Sequence, residues 1–262
     1  MESPREPPTT RPQPGVFAQS FQVRLFETDA PGALSPGRLC DYLQEAAGNH
    51  AAALGVSVAD LMQRGLTWVL SRLRLRVERL PGAGETVSVR TWPTGAEKLF
   101  ALRDFQLLDG DGCCIASAVS AWLIIDTAGR RPVRIQTVFD PPDASRVPRA
   151  LDTGIERLPG PDGAAREAAV VVRLADLDAN AHANNARISE WIVESVGRDH
   201  VLGSSLAALD VDFLAEALHG DSLASRAAPL AGGAFRHSLV RPADGREIAR
   251  AATQWRARRS SP

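Results

Sequence analysis

Residues 23–47, VRLFETDAPGALSPGRLCDYLQEAA, align without a gap on residues 172–196, VRLADLDANAHANNARISEWIVESV. Val-Arg-Leu opens both, and Asp29 falls on Asp178, Arg38 on Arg187 and Glu45 on Glu194. A second pair of segments, DGCCIASAVSAW (Asp111 to Trp122) and DGREIARAATQW (Asp244 to Trp255), agrees at Asp, Gly, Ile, two Ala and Trp. Two blocks recurring in the same order at domain scale mark a duplicated unit. A chain of 262 residues has room for two such units of roughly 100–150 residues each.

Each copy has one plan: a short strand, a turn, a helix, then several strands. In the first copy Ser35 is the expected N-cap with Pro36 at the first helical position, where its missing N–H costs nothing. Leu39, Tyr42, Leu43, Ala46, Ala47, His50 and Leu54 recur at helical spacing, and Gly55 is the stop. In the second copy Asn184 is the expected cap, with a shorter stripe of Ile188, Trp191, Ile192 and Val196. Downstream of the first helix, WVLSRLRLRVERL from Trp68, ETVSVRTW from Glu85 and FALRDFQLLD from Phe100 alternate with period two. Strand, helix and a run of strands predict an α+β unit in which one helix packs on a curved antiparallel sheet. That is the hotdog arrangement, here expected in tandem.

The expected division is a disordered Pro-rich tail over 1–16, an N-terminal hotdog over 17–126, a linker over 127–168 and a C-terminal hotdog over 169–262. The linker contains RRPVRI, DPPDASRVP and LPGPDG, so little regular structure is expected there. Apolar residues make up 44% and charged residues 23%, with a net charge of −1, so no global charge directs the chain to nucleic acid or a membrane surface. No apolar run approaches the ~18 residues of a membrane helix, and the first residues lack a secretory apolar core. Cys40, Cys113 and Cys114 form neither a disulfide framework nor a zinc-ligand pattern, which fits a reducing, cytoplasmic setting.

Chemistry concentrates in DLDANAHANN, Asp176 to Asn185. If this stretch is extended, Asp178, Asn180 and His182 leave one face of the strand, placing a carboxylate, an amide and an imidazole together. Those are the parts of a general-base site with a positioned water. A helix beginning near Asn184 would add N–H groups and the positive end of its dipole to stabilise an oxyanion. The same residue types also build a turn followed by an N-cap. The first copy is an internal control: it keeps Asp29 but has Pro31 opposite Asn180 and Ala33 opposite His182. Only the second copy carries the polar set. Arg72, Arg74 and Arg76 alternate on one strand face, read either as solvated decoration or as a dock for an acidic partner. Trp68, Trp92 and Trp122 are expected in the core or on a pocket wall.

The second-copy segment resembles the acyl–acyl-carrier-protein thioesterase motif in which Asp, Asn and His alternate and two Asn follow; Asp178, Asn180, His182, Asn184 and Asn185 occupy those positions. LQEAAGNH (Leu43 to His50), LTWVLSRLRL (Leu66 to Leu75) and SAVSAWLIID (Ser117 to Asp126) extend the resemblance over all but the tail and linker. It implies hydrolysis of fatty acyl-acyl carrier protein to free fatty acid, with acyl carrier protein as partner and no cofactor. Family members often read Asp-aromatic-Arg-Arg-Glu-Cys where this chain has Asp212, Phe213, Leu214, Ala215, Glu216 and Ala217. The acid survives as Glu216, whereas the Arg pair and the Cys do not, so a Cys–His mechanism is unavailable. The resemblance implies a water attack in which Glu216 or Asp178 is the base, His182 holds or relays the proton, and Asn180 helps hold the oxyanion. It further implies that the N-terminal half receives the acyl chain, with Ala46, Ala47 and Trp68 as substrate contacts and the small Ala51 and Ala53 leaving room; His50, on the apolar helix face, reads as a packed, hydrogen-bonded core histidine or, more sharply, as a further substrate contact. An acyl-CoA thioesterase, a non-catalytic acyl-binding module and a hotdog hydratase are the competing readings, and a homodimer is left open.

Overall fold

The computed structural model describes residues 15–140, 146–162 and 166–258. The expected tail, apart from its last two residues, lies outside them. In chain order the elements are β1 (Phe17–Gln22), α1 (Pro36–Ala53), α2 (Val58–Met62), β2 (Leu66–Val77), β3 (Thr86–Glu97), β4 (Phe100–Leu108), β5 (Cys114–Asp126), β6 (Arg131–Val133), β7 (Arg166–Val171), α3 (Asn185–Glu194), α4 (Arg198–Gly203), β8 (Ser204–Phe213), β9 (Ser222–Pro229), β10 (Ala234–Arg241) and β11 (Arg246–Ala257).

The duplication is legible in the strand order. One continuous sheet runs β1-β3-β4-β5-β2-β8-β11-β10-β9-β7, so the second half repeats the first in reverse, and β2 and β8 join antiparallel at the centre. This is the tandem hotdog. Details repeat as well: the Trp122 indole donates to Ser120 and the Trp255 indole to Thr253, each two residues back on its own strand. Ser35 caps α1 through the N–H of Arg38, Pro36 occupies the first helical position, and Gly55 follows the last turn at φ +69°, where a side chain would be strained. Asn184 caps α3, which has 10 residues against the 18 of α1. The two helices lie together on one face of the sheet, and Leu39, Leu43 and Ala46 share a core with Ile188 and Ile192. Between them the Arg187 guanidinium sits 3.0 Å from Asp41.

The 127–168 segment has more structure than its composition suggested. β6 pairs with the end of β5, and the described residues around Ile155 and Glu156 lie against the sheet face opposite the helices. Ile155 is buried there against Val119 and Ala121. The alternating arginines explain how that face is held, and for Arg74 burial corrects the reading as solvated decoration. Arg72 donates to the Ile155 carbonyl, while Arg74 donates to the Glu156 carbonyl at 2.7 Å and to Asp212 at 2.8 Å. Arg76 meets Asp210 at 2.5 Å. Arg74 is therefore buried in the cationic face of β2, while Arg76, with 38% of its side chain exposed, stands at its edge. That face is the seam with β8, whose acids arrive only through pairing across more than 130 residues.

Candidate active site

Strands β2 and β8 pair from Arg72↔Asp212 to Arg76↔Ala208 and then part. Beyond Asp212 a fork opens between residues 66–71 of β2 and the segment 213–217. A cavity of about 1180 Å³ fills it and reaches from α1 to the loop at residues 178–183. The site sits there because the two half-sheets stop pairing there.

The loop is not extended, which corrects the premise that placed three side chains on one strand face. The Asp178 N–H donates to the His182 carbonyl at 2.7 Å and the Ala181 N–H to the Asp178 carbonyl at 3.0 Å, closing a tight turn. Asp178 Oδ1 accepts from the N–H groups of Asn180 (2.8 Å) and His182 (3.2 Å). The first copy builds the same turn without the histidine: Asp29 N–H to Ala33 carbonyl, Gly32 N–H to Asp29 carbonyl, and Ala33 N–H to Asp29 Oδ1. Gly32 stands at φ +88°, and the matching Ala181 holds φ +60°, a left-handed conformation that costs a residue with a Cβ about 1–2 kcal/mol. An Asp at this position is thus an Asx-type turn former in both halves. The polar row reads as turn chemistry, and His182 is what the second copy adds.

A single backbone bond brings the acid to the imidazole. The Ala183 N–H donates to the Ala217 carbonyl at 2.9 Å, so the preceding residues of the two segments face each other, and His182 Nε2 lies 3.6 Å from Glu216 Oε2. That separation is electrostatic contact rather than a hydrogen bond. Arg130, from the segment between the halves, places Nη2 2.9 Å from the same Glu216 oxygen. His182, Glu216 and Arg130 all line the cavity and are partly or largely open to it. Ala217, where the family often has Cys, is buried and lines the same cavity. At the start of α3 the cap takes the N–H of Ala186 through the Asn184 side chain, and Arg187 donates to the Asn184 carbonyl. Asn185 follows the cap on the cavity wall.

The expected substrate contacts divide. Ala47 and Ala51 line the cavity from α1, and Trp68 lines it from β2, with its indole donating to the Val56 carbonyl at 2.8 Å and its ring edge-on to Trp122 and Phe139. Ala46 faces the core between the helices and does not reach the cavity wall, and Ala53 is exposed at the end of α1 away from it. His50 stands behind the wall, stacked on Phe17 and bonded to Arg103; burial and that cation lower its pKa to about 4. Trp92 is fully buried. Sequence reasoning missed Arg130 and Arg103. Arg130 sat in RRPVRI, and the Arg-rich run in a supposed linker was the one available signal.

Residues 14–139 match the family described as acyl-ACP thioesterase N-terminal domain, and residues 161–257 match acyl-ACP thioesterase C-terminal domain. A chloroplastic palmitoyl-acyl carrier protein thioesterase of Cuphea hookeriana is 30% identical over 260 residues, 92% of this chain and 62% of that protein. The chain thus spans less than two thirds of the length of that relative. An acyl-ACP thioesterase from Bacteroides thetaiotaomicron superposes with a TM-score of 0.78 at 25% identity, covering 92% of this chain and 98% of that one. The 12:0-ACP thioesterase from Umbellularia californica gives a TM-score of 0.76 at 24% identity, covering 95% and 100%. With both halves matched in order around one cavity, this chain belongs to the acyl-acyl carrier protein thioesterase family.

Proposed function

We propose that the protein hydrolyses the thioester of a fatty acyl-acyl carrier protein, with Glu216 and His182 activating the attacking water. The observation that carries this reading is the placement of His182 against Glu216 on the wall of a cavity that Ala47, Ala51 and Trp68 also line. Of the two acids, Asp178 spends Oδ1 on its own loop, whereas Glu216 faces the cavity between an imidazole and a guanidinium. Glu216 with His182 takes a proton from water as its oxygen bonds to the thioester carbon. The Asn180 amide and the backbone N–H of Asn185, at the start of α3 on the cavity wall, stabilise the oxygen that becomes negative. The tetrahedral species then breaks its C–S bond, the thiolate takes up the proton, and the products are a fatty acid and a free thiol. Asp178 is a positioning residue that sets the direction of the His182 backbone. The two halves take different roles, the N-terminal one receiving the chain and the C-terminal one the thioester.

The test is thiol release from acyl chains of varied length, carried on acyl carrier protein or on CoA, with His182→Ala alongside. Turnover that prefers the carrier protein and collapses in the variant is expected. Preference for CoA would reassign the substrate, and binding without turnover would make this an acyl-binding scaffold. The chain's setting is proposed to be cytoplasmic; among the described residues no helix is long and apolar enough to cross a membrane.

A further inference from the structure

Arg103 of β4 lines the same cavity from the N-terminal half. Its Nη1 donates to Nδ1 of His50 at 3.0 Å and to Thr91 Oγ1 at 3.2 Å. Neither partner carries a charge: Thr91 cannot, and His50 is neutral with its pKa near 4. The adjacent acid does not serve either. Asp104 points to the opposite face of the sheet, where the Arg149 guanidinium and the Ala150 N–H occupy it. No carboxylate among the described residues offsets the cation, and burial pulls its pKa down to about 10. Cations taken out of water are ordinarily paired, and Arg103, half-buried at the cavity, would lose its remaining water to a bound chain. Ala47, Ala51, Trp68 and Trp122 line the cavity with Arg103, and the acids on the same wall are engaged elsewhere, Asp178 by its own loop, Asp212 by Arg74 and Glu216 by Arg130. A plain alkyl chain filling this cavity would strip solvent from Arg103 and return nothing. An oxygen atom on the chain would accept one of the N–H groups that His50 and Thr91 leave free, since a guanidinium carries five.

We propose that Arg103 selects acyl chains bearing an oxygen acceptor, a hydroxyl or carboxylate, over unsubstituted chains of the same length. The inference rests on the reading of the cavity as an acyl site, and its test is arranged so that the two can fail separately. The probes are acyl-pantetheine amides, which replace the thioester sulfur by N–H and so report binding without turnover. Three are compared at equal length: a plain chain, one ending in a hydroxyl and one ending in a carboxylate. The intact protein is expected to bind an oxygenated amide about tenfold or more tightly than the plain one, as a charge-assisted hydrogen bond would give. Arg103→Met should abolish or invert that ratio, while Arg103→Lys, which keeps the charge, should retain a preference for the oxygenated chain. The carboxylate and hydroxyl arms tell which oxygen is read. A plain chain bound at least as tightly by the intact protein, or a ratio that Arg103→Met leaves unchanged, overturns the inference and leaves the hydrolase reading standing. Binding of none of the amides overturns the acyl reading of the cavity, and the inference with it.

Discussion

Arg74 of the first half and Asp212 of the second meet at 2.8 Å, with side-chain exposures of 4% and 1%. Around them the Leu158 N–H donates to the other Asp212 oxygen, and Arg74 also donates to the carbonyls of Val211 and Glu156. The pair thus ties together both half-sheets and the segment that connects them. Two copies of the first half joined the same way would set arginine against arginine. The acids of β8 make the joint specific for one half with the other.

Breaking this pair from one side should be severe. Arg74→Met leaves Asp212 buried without its cation, a loss of about 3–5 kcal/mol. Urea unfolding is the measurement. Arg76→Met, at the more exposed pair with Asp210, should cost about 1 kcal/mol or less. Equal losses at the two positions would show that burial is not what gives the Arg74 pair its weight.

Asp178→Asn separates a turn former from a base. The amide keeps an oxygen that can accept from Asn180 and His182, so the loop should weaken by about 1 kcal/mol and turnover fall only severalfold. Asp178→Ala should cost more, because both N–H groups lose their acceptor. Asp29→Asn, the same change in the copy lacking histidine, should leave turnover unchanged. A collapse of turnover in Asp178→Asn alone would make Asp178 the base.

Glu216→Gln should lower kcat by roughly 10²–10⁴ with little change in thermal midpoint, since the residue is half-exposed and its role is proton transfer. Arg130→Gln should act in the same direction but weakly, up to about fivefold, because its contact with Glu216 is screened by solvent. Stopped thiol-release assays on the two variants measure the ranking.

His237 predicts an acid-sensitive fold. It is fully buried between Ser195 and Thr253, and burial lowers its pKa to about 4 from the ordinary 6.5. The unfolded chain therefore binds the proton more readily than the folded one, and stability falls as pH drops from about 6.5 toward 4. The loss approaches about 3 kcal/mol at the low end of that window and disappears above pH 7. His50 is shifted the same way and adds to the slope. Denaturation curves at pH 7, 6 and 5 should show it, with a shallower dependence in His237→Gln.

The duplication, the caps at Ser35 and Asn184, the stop at Gly55 and the strands after α1 were legible in the sequence because each depends on residues close in the chain. Repetition, cap chemistry and period-two alternation are local properties. Asp178, Asn180, His182 and Glu216 were named as candidates from the sequence, the first three against an internal control and the last through the family resemblance. What local reading could not supply was which strand lies beside which. Arg74 and Arg76 of β2 meet the acids of β8, more than 130 residues away, and only that pairing buries Arg74. The turn that draws Asp178 into its own backbone, the bond from Ala183 to Ala217 that brings His182 to Glu216, and the arrival of Arg130 and Arg103 at one cavity are likewise products of tertiary packing. Charge and hydrogen-bonding capacity belong to a residue, but whether water, a carboxylate or an empty wall meets them is decided by the neighbours that folding provides.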